Sequence, residues 1–385
     1  MSLLERDQPR FGAIVQLNLP EMSRSRVVVL LKRLGERVLW DTEQAGNVCP
    51  TEVGLIGFSV RFFKGPYTNL RDRIPHAVRF GIQKPVPRCL LSMRVRFDER
   101  YAELNTGAKI GSKESDIYVL LEHHSSGTVR RLVDKISSMQ DEIEVVAIHF
   151  GQTANTGEPL LGVTDGISNL QWSRKHDWGT YSRWVYIQPE DEETDEYCGG
   201  SYLVFRKYRI DLERWWNDNL EIARGAKKHT GARAREHILG RAENDSVVEN
   251  ETGRCLPRLP DDSEVLRAPL DSHIRQANPR RVGYTNFGAE VSVPDFRILR
   301  RSLEFSEPYA AGNDKTHRGL LFLCFQSNIQ ERGFEFIHDE WLMSKFCGTR
   351  DSLLDPASGL VEPIAGCYYF IPRWTSYPGD VFFGG

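Results

Sequence analysis

The sequence predicts an α+β fold built on antiparallel sheets. Three observations carry that expectation. Segments with strand character interleave with helical ones along the whole chain. The strands are short and partly alternating, as in Leu91, Met93, Val95 and Phe97, unlike the continuous apolar runs of a parallel doubly wound sheet. The 385 residues, 40% apolar and 27% charged, supply core material for two ordinary domains or one large one.

The elements follow in order. Phe11 to Leu19 reads as a strand. Ser25 to Leu34 reads as a helix, with Val27, Val28, Leu30 and Leu31 as its apolar stripe. Gly54 to Phe63 is β-branched and aromatic, and Gly65-Pro66 ends it. Cys89 to Phe97 and Asp116 to Leu121 read as strands, Thr128 to Gln140 as a helix and Glu142 to Phe150 as a strand. Trp172 to Glu196 is polar and ends in an acidic run, Glu190 to Glu193 with Asp195-Glu196, read as a solvated junction. A second cycle begins with the strand Ser201 to Tyr208. Asp211 to Gly240 is mostly helical, with Asp211 able to cap its start and Gly240 its end. Gly319 to Gln326 is an apolar strand, Phe334 to Phe346 a helix and Gly366 to Pro372 a last strand. The expected division is residues 1–190 and 191–385.

Composition narrows the function classes. A formal net charge of -3 carries no cationic signature for nucleic acid. No apolar stretch reaches membrane-spanning length. The amino terminus turns charged at once and lacks the apolar core of a signal peptide, so a cytoplasmic protein is expected. Seven scattered cysteines without a CxxC pair suggest neither a zinc knuckle nor a redox dithiol.

Two segments stand out chemically. Gly162-Val163-Thr164-Asp165-Gly166-Ile167-Ser168 sets a carboxylate in a glycine-framed turn. By itself an Asp-Gly pair is usually only a turn. Asp271 to Arg280 offers a single histidine, His273, among the arginines Arg275 and Arg280, and Arg300-Arg301-Ser302 follows downstream. A lone histidine usually packs or hydrogen-bonds and ligates nothing.

Together these segments resemble the dye-decolorizing (DyP-type) haem peroxidase family. Its glycine–x–x–aspartate–glycine motif is matched by Gly162 to Gly166. Its histidine–isoleucine–arginine run ending in asparagine–proline–arginine is matched by His273-Ile274-Arg275 and Asn278-Pro279-Arg280. Gly200 to Arg206, Ile238 to Arg241 and Gly319 to Gln326 match in order, so the similarity runs from Gly162 to Phe370. The implied fold is two ferredoxin-like domains with antiparallel sheets and surrounding helices, in the family's dimeric α+β barrel-like arrangement. The implied cofactor is haem b, held mainly by the carboxy-terminal domain.

The resemblance also implies roles. His273 is the expected iron ligand, with Asp339 or Glu340 as the acid behind it. Asp165 is the expected acid–base for H2O2, framed by Gly166 and Ser168. Arg300 matches the family's distal arginine better than Arg301, since Ser302 falls two positions on, but Glu304-Phe305 departs from the family spelling. Leu321 and Phe322 are expected over the distal pocket, and Arg275 or Arg280 beside the haem propionates. The expected reaction reduces H2O2 and oxidises dyes, phenols or similar donors by one-electron steps. A related biosynthetic oxidation and a low-turnover haem-binding or sensing protein are the alternatives. The expected partners are H2O2 and a reducing organic substrate. Homo-oligomerisation stays open, and the absence of a long tail after Asp380 to Gly385 disfavours encapsulation.

Overall fold

Alternate residues of the first strand, β1 (Phe11–Asn18), enter two different cores. Ala13, Val15 and Leu17 face one, and Ile14 faces the other. A strand covered on both faces buries nearly every side chain, which explains its continuous apolar spelling. The computed structural model of the chain describes residues 3–38, 40–41, 51–64, 115–154, 159–164, 169–170, 178–191, 197–224, 227–248, 255–256, 267–279, 282–284, 290–292, 296–308, 316–344 and 349–373. The expected strand Cys89 to Phe97 lies outside them.

The first half continues with α1 (Arg24–Val38), β2 (Gly54–Ser59), β3 (Ile117–His123), α2 (Ser126–Ser137) and β4 (Glu144–Gln152). Ser125 caps α2, its side chain accepting from Thr128 N–H at 3.3 Å. Val129, Leu132, Val133 and Ile136 form the buried stripe of α2 at helical spacing. They join Leu30, Leu31 and Leu34 of α1 over the sheet.

The second half supplies α3 (Trp178–Val185), β5 (Ser201–Ile210), α4 (Gly231–Leu239), α5 (His273–Ala277), β6 (Leu299–Arg300), β7 (Leu303–Pro308), β8 (Thr316–Gln326) and β9 (Val361–Ile371). All nine strands form one sheet in the order β6-β8-β7-β4-β1-β3-β2-β9-β5, and β8 also pairs with β5. Every adjacent pair is antiparallel, as the alternating strands predict. The first half's strands lie in the order β4-β1-β3-β2, and four of the second's in the order β7-β8-β5-β9.

Several boundaries differ from the sequence expectation. The strand from Gly54 ends at Ser59, and Val60–Lys64 turns helical, which brings the Phe58 and Phe62 rings to 4.6 Å. Asp211 to Gly240 is not one long helix. A short helix at Leu212–Trp215 is followed by the hairpin Glu221–Arg224 with Lys227–Thr230, then α4. Charged side chains are compatible with both a helix surface and an exposed hairpin, so composition did not separate them. The expected junction contains α3, and Asp191 is buried in an ion pair with Arg332. The helix expected from Phe334 is a π-helical stretch, Phe336–Leu342. Among the described residues no helix is long and apolar enough to cross a membrane.

Candidate functional site

His273 opens α5, a helix of five residues. Two neighbours set its position. Gly240 ends α4 in the left-handed region, φ +83°, and a Cβ there would come within 2.6 Å of Ile274 and 2.7 Å of Ser272. Glycine therefore allows the helix carrying His273 to lie against the end of α4. Gln276 donates to the Leu270 and Thr349 carbonyls, tying α5 to the segment that carries Asp351.

Asp351 is fully buried. Its Oδ2 lies 2.8 Å from His273 Nδ1, and its Oδ1 accepts from Leu353 N–H at 2.9 Å and Leu354 N–H at 2.8 Å. The two backbone donors fix the orientation of the carboxyl group and leave Oδ2 to the imidazole. An acceptor oxygen at Nδ1 keeps the proton there, so Nε2 carries the free lone pair. The expected partners Asp339 and Glu340 do not fill this place. Asp339 Oδ1 instead meets His338 Nδ1 at 2.8 Å.

His273 and His338 both line a cavity of about 1720 Å³, open mouth included. Its walls are largely apolar, with Val163, Ile274, Ile298, Leu320, Phe322 and Phe334 among them. Three guanidinium groups, Arg241, Arg297 and Arg300, face a single carboxylate, Glu304, among the described lining residues. Arg297 Nε is shielded from solvent and has no hydrogen-bond partner among the described residues. Burial lowers the pKa of Arg297, and burial, followed by the Arg206 charge, lowers that of His338. A cationic surplus beside an apolar hollow suits an apolar ligand with an anionic edge.

Arg300 and Arg301 have opposite surroundings, as successive strand residues should. Arg300 lines the cavity. Arg301 is buried elsewhere, in an ion pair with the fully buried Glu122 and a hydrogen bond to the Arg6 carbonyl at 2.8 Å. The same alternation separates Leu321 from Phe322. Phe322 lines the cavity with Leu320, whereas Leu321 packs in the second core with Leu303 and Phe305. The expectation that Leu321 covers this pocket is therefore corrected, because adjacent strand residues cannot share a face. Arg275 is not among the lining side chains; His273, Ile274, Ala277 and Asn278 present that face of α5.

Asp165, Gly166, Ser168 and Arg280 lie outside the described residues. The residues flanking the Asp165 motif have defined hydrogen-bond partners. Leu160 N–H donates to Glu304 at 2.9 Å, and its carbonyl accepts from the Trp216 indole at 3.2 Å. Gly162 has φ +79°, and a Cβ there would meet the Trp216 ring at 2.8 Å. Thr164 lines the cavity and donates its N–H to Asp245 at 2.9 Å. Beyond the motif, the Asn169 amide both donates to the Arg300 carbonyl at 2.6 Å and accepts from Arg300 N–H at 2.9 Å. Thr164 thus lies at the cavity wall, and Asn169 on the backbone of Arg300.

Sequence reasoning missed Asp351, Asn169, Asp245, Arg241, Arg297 and His338 as members of this neighbourhood. None sits at a diagnostic spacing from His273 or Asp165; Asp351 is 78 positions from its partner.

The site is thus defined by an antiparallel α+β chain that sets a carboxylate-held histidine at the wall of an apolar cavity lined by arginines. Residues 156–376 match the family described as Dyp-type peroxidase, C-terminal. The chain belongs to the Dyp-type peroxidase family. It is 26% identical over 306 residues to a Yersinia pestis deferrochelatase, a match covering 76% of this chain and 60% of that protein. With the Escherichia coli (strain K12) deferrochelatase it shares 25% over 310 residues, covering 79% and 64%. The chain thus spans less than two thirds of the length of either. The fold resembles that of an Anabaena sp. DyP-type peroxidase, with TM-score 0.66 and 16% identity over 94% of this chain and 90% of that one. It also resembles ferric DtpA from Streptomyces lividans, with TM-score 0.64 and 19% identity over 99% and 94%.

Proposed function

We propose that the chain is a haem b peroxidase that reduces H2O2 and oxidises dyes, phenols or similar donors by one-electron steps. The observation that carries this reading is the 2.8 Å contact between His273 Nδ1 and buried Asp351 at the wall of the apolar cavity. The residues present fit the cofactor. His273 offers Nε2 to iron, and Asp351 increases the electron density that the imidazole donates. Arg241 and Arg297 suit the two propionates, which would supply the partner that the buried Arg297 Nε lacks among the described residues. Haem, when bound, supplies an iron centre that takes two oxidising equivalents from peroxide and releases them singly.

The chain's own groups do the rest in this reading. The Asp165 carboxylate takes the proton from one peroxide oxygen and returns it to the other, the departing one. An ordinary aspartate, with pKa about 3.9, is ionised and ready to accept at mildly acidic to neutral pH. Arg300 stabilises negative charge on the departing oxygen, and its permanent charge makes it suited to that task. Phe322 and Leu320 narrow the approach and keep bulky molecules from the centre. Arg275 or Arg280 is a further proposed partner of the propionates, and Gly166 and Ser168 are proposed to frame Asp165. The two halves, 1–190 and 191–385, are read as two ferredoxin-like units. Counted in chain order, β4-β1-β3-β2 and β9-β5-β8-β7 both run fourth, first, third, second, which supports that division.

The test is an absorption spectrum of the purified, haem-loaded protein before and after one equivalent of H2O2. A histidine-ligated haem band that shifts with peroxide and is restored over many cycles by a phenolic donor is the expected result. Tight haem uptake with no response to peroxide would reject the peroxidase reading in favour of haem binding alone.

A further inference from the structure

A second concavity lies on the same sheet face as the cavity lined by His273. Its size is about 1030 Å³, open side included. Its floor comes from β1, β4, β7 and β8, and its wall from the start of α2. In register, Phe11 faces Gln152, Ala13 faces Phe150, and Ser306 faces Arg318. Phe11, Phe150, Ser306 and Arg318 all line the groove. Phe150 is 37% exposed, unusual for a phenylalanine in a strand, and Arg130 of α2 stacks over its ring at 5.1 Å. Arg10 stacks likewise over Phe11 at 5.0 Å.

The charges are one-sided. Arg130 and Arg318 are exposed, and neither forms an ion pair with any described carboxylate. Glu304, the one lining carboxylate among the described residues, is engaged by Leu160 N–H. Leu160 and Glu304 line both hollows, so their hydrogen bond forms the partition between groove and cavity. An aromatic platform under one guanidinium, with a second guanidinium across the gap, matches a flat ring that carries a negative group. Such a ring would pack against the part of Phe150 that Arg130 leaves exposed, with its anion toward Arg130 and Arg318.

We propose that this groove binds a small anionic aromatic molecule, an aryl sulfonate or carboxylate, with Phe150 as the platform and Arg130 and Arg318 as the anion clamp. On the peroxidase reading above, it is the site of an anionic aromatic electron donor. Two donor molecules would each lose one electron while one H2O2 and two protons become two waters. The binding statement does not depend on that reading.

The experiment titrates 2-naphthalenesulfonate into the haem-loaded protein by calorimetry, with neutral 2-naphthalenemethanol as the control. The expected result is binding that weakens with added salt. The Arg130→Gln/Arg318→Gln double variant should weaken it about tenfold, and Phe150→Ala about threefold. The neutral control should be indifferent to the arginine changes. Equal sulfonate affinity in wild type and double variant would overturn the proposal. Peroxide turnover is then compared with 4-hydroxybenzenesulfonate and with phenol. A rise in KM confined to the sulfonate in the double variant supports the donor role. Groove-dependent binding in a protein without peroxide turnover would leave the binding site standing and remove the peroxidase reading.

Discussion

Asp351 holds His273 Nδ1 at 2.8 Å while its other oxygen accepts two backbone N–H groups. The carboxylate is thereby committed to a single orientation, and the imidazole to a single tautomer. Asp351→Asn should disturb both. Turning the amide nitrogen toward Leu353 and Leu354 opposes their N–H groups, at a cost of about 1–3 kcal/mol. Turning it toward His273 forces the ring proton onto Nε2 and removes the ligating lone pair. The expected outcome is a 10–100-fold loss of haem retention or peroxide reactivity, with a raised reduction potential in the haem that remains. Spectroelectrochemical titration measures this, and an unaltered potential would reduce Asp351 to a packing role.

Arg300 and Arg301 should separate cleanly by phenotype. Arg301→Leu leaves Glu122 buried without its partner and should cost about 3–5 kcal/mol in chemical denaturation. Arg300→Leu should change stability little and slow the peroxide step at least a hundredfold. Stopped-flow mixing with H2O2 reads the second effect. The reverse pattern would exchange the assignments.

Gly162→Ala should displace Trp216. The residue sits at φ +79°, where alanine is strained, and its Cβ would lie 2.8 Å from the indole. A loss of about 1–2 kcal/mol is expected, together with a change in tryptophan fluorescence. A Trp216→Ala background should lessen the loss, because the steric part disappears and only the backbone strain remains.

A third relationship makes stability fall in acid. His149 has its pKa lowered by burial, although Glu307 accepts from it. Burial would raise Glu307, but hydrogen bonds from His149 and Lys207 outweigh this and bring it to about 2. Both folded values lie below their unfolded ones, 6.5 and 4.5. The unfolded chain therefore binds more protons, and stability declines as pH falls below about 6.5 and again below about 4.5. The raised carboxylates Asp191 and Glu236 act in the opposite direction. Urea denaturation at pH 7 and pH 5 should show a smaller difference for His149→Gln than for wild type. An equal difference would mean that His149 is not among the groups responsible.

Much of the fold was legible because strands alternate and helices repeat. The apolar stripe of α2 and the runs in β1, β3, β5 and β8 are visible in the spelling. What misled was a stretch with several compatible local structures. Asp211 to Gly240 became a short helix, a hairpin and a second helix. Local propensity is a weak prior there, and packing around Trp215 and Leu220 decides.

The sequence by itself determined the family and the motif-bearing segments, because glycine, histidine and arginine at fixed intervals survive as a local pattern. It also determined the strand period, which separates Arg300 from Arg301 and, applied to Leu321 and Phe322, excludes the shared placement expected of them. Tertiary structure alone decided which of each pair turns to the cavity, since that depends on what lies across the sheet. It alone placed Asp351 behind His273 and Asn169 on the Arg300 backbone. Hydrogen bonds between residues 78 and 131 positions apart leave no periodicity in a chain, only a meeting in space.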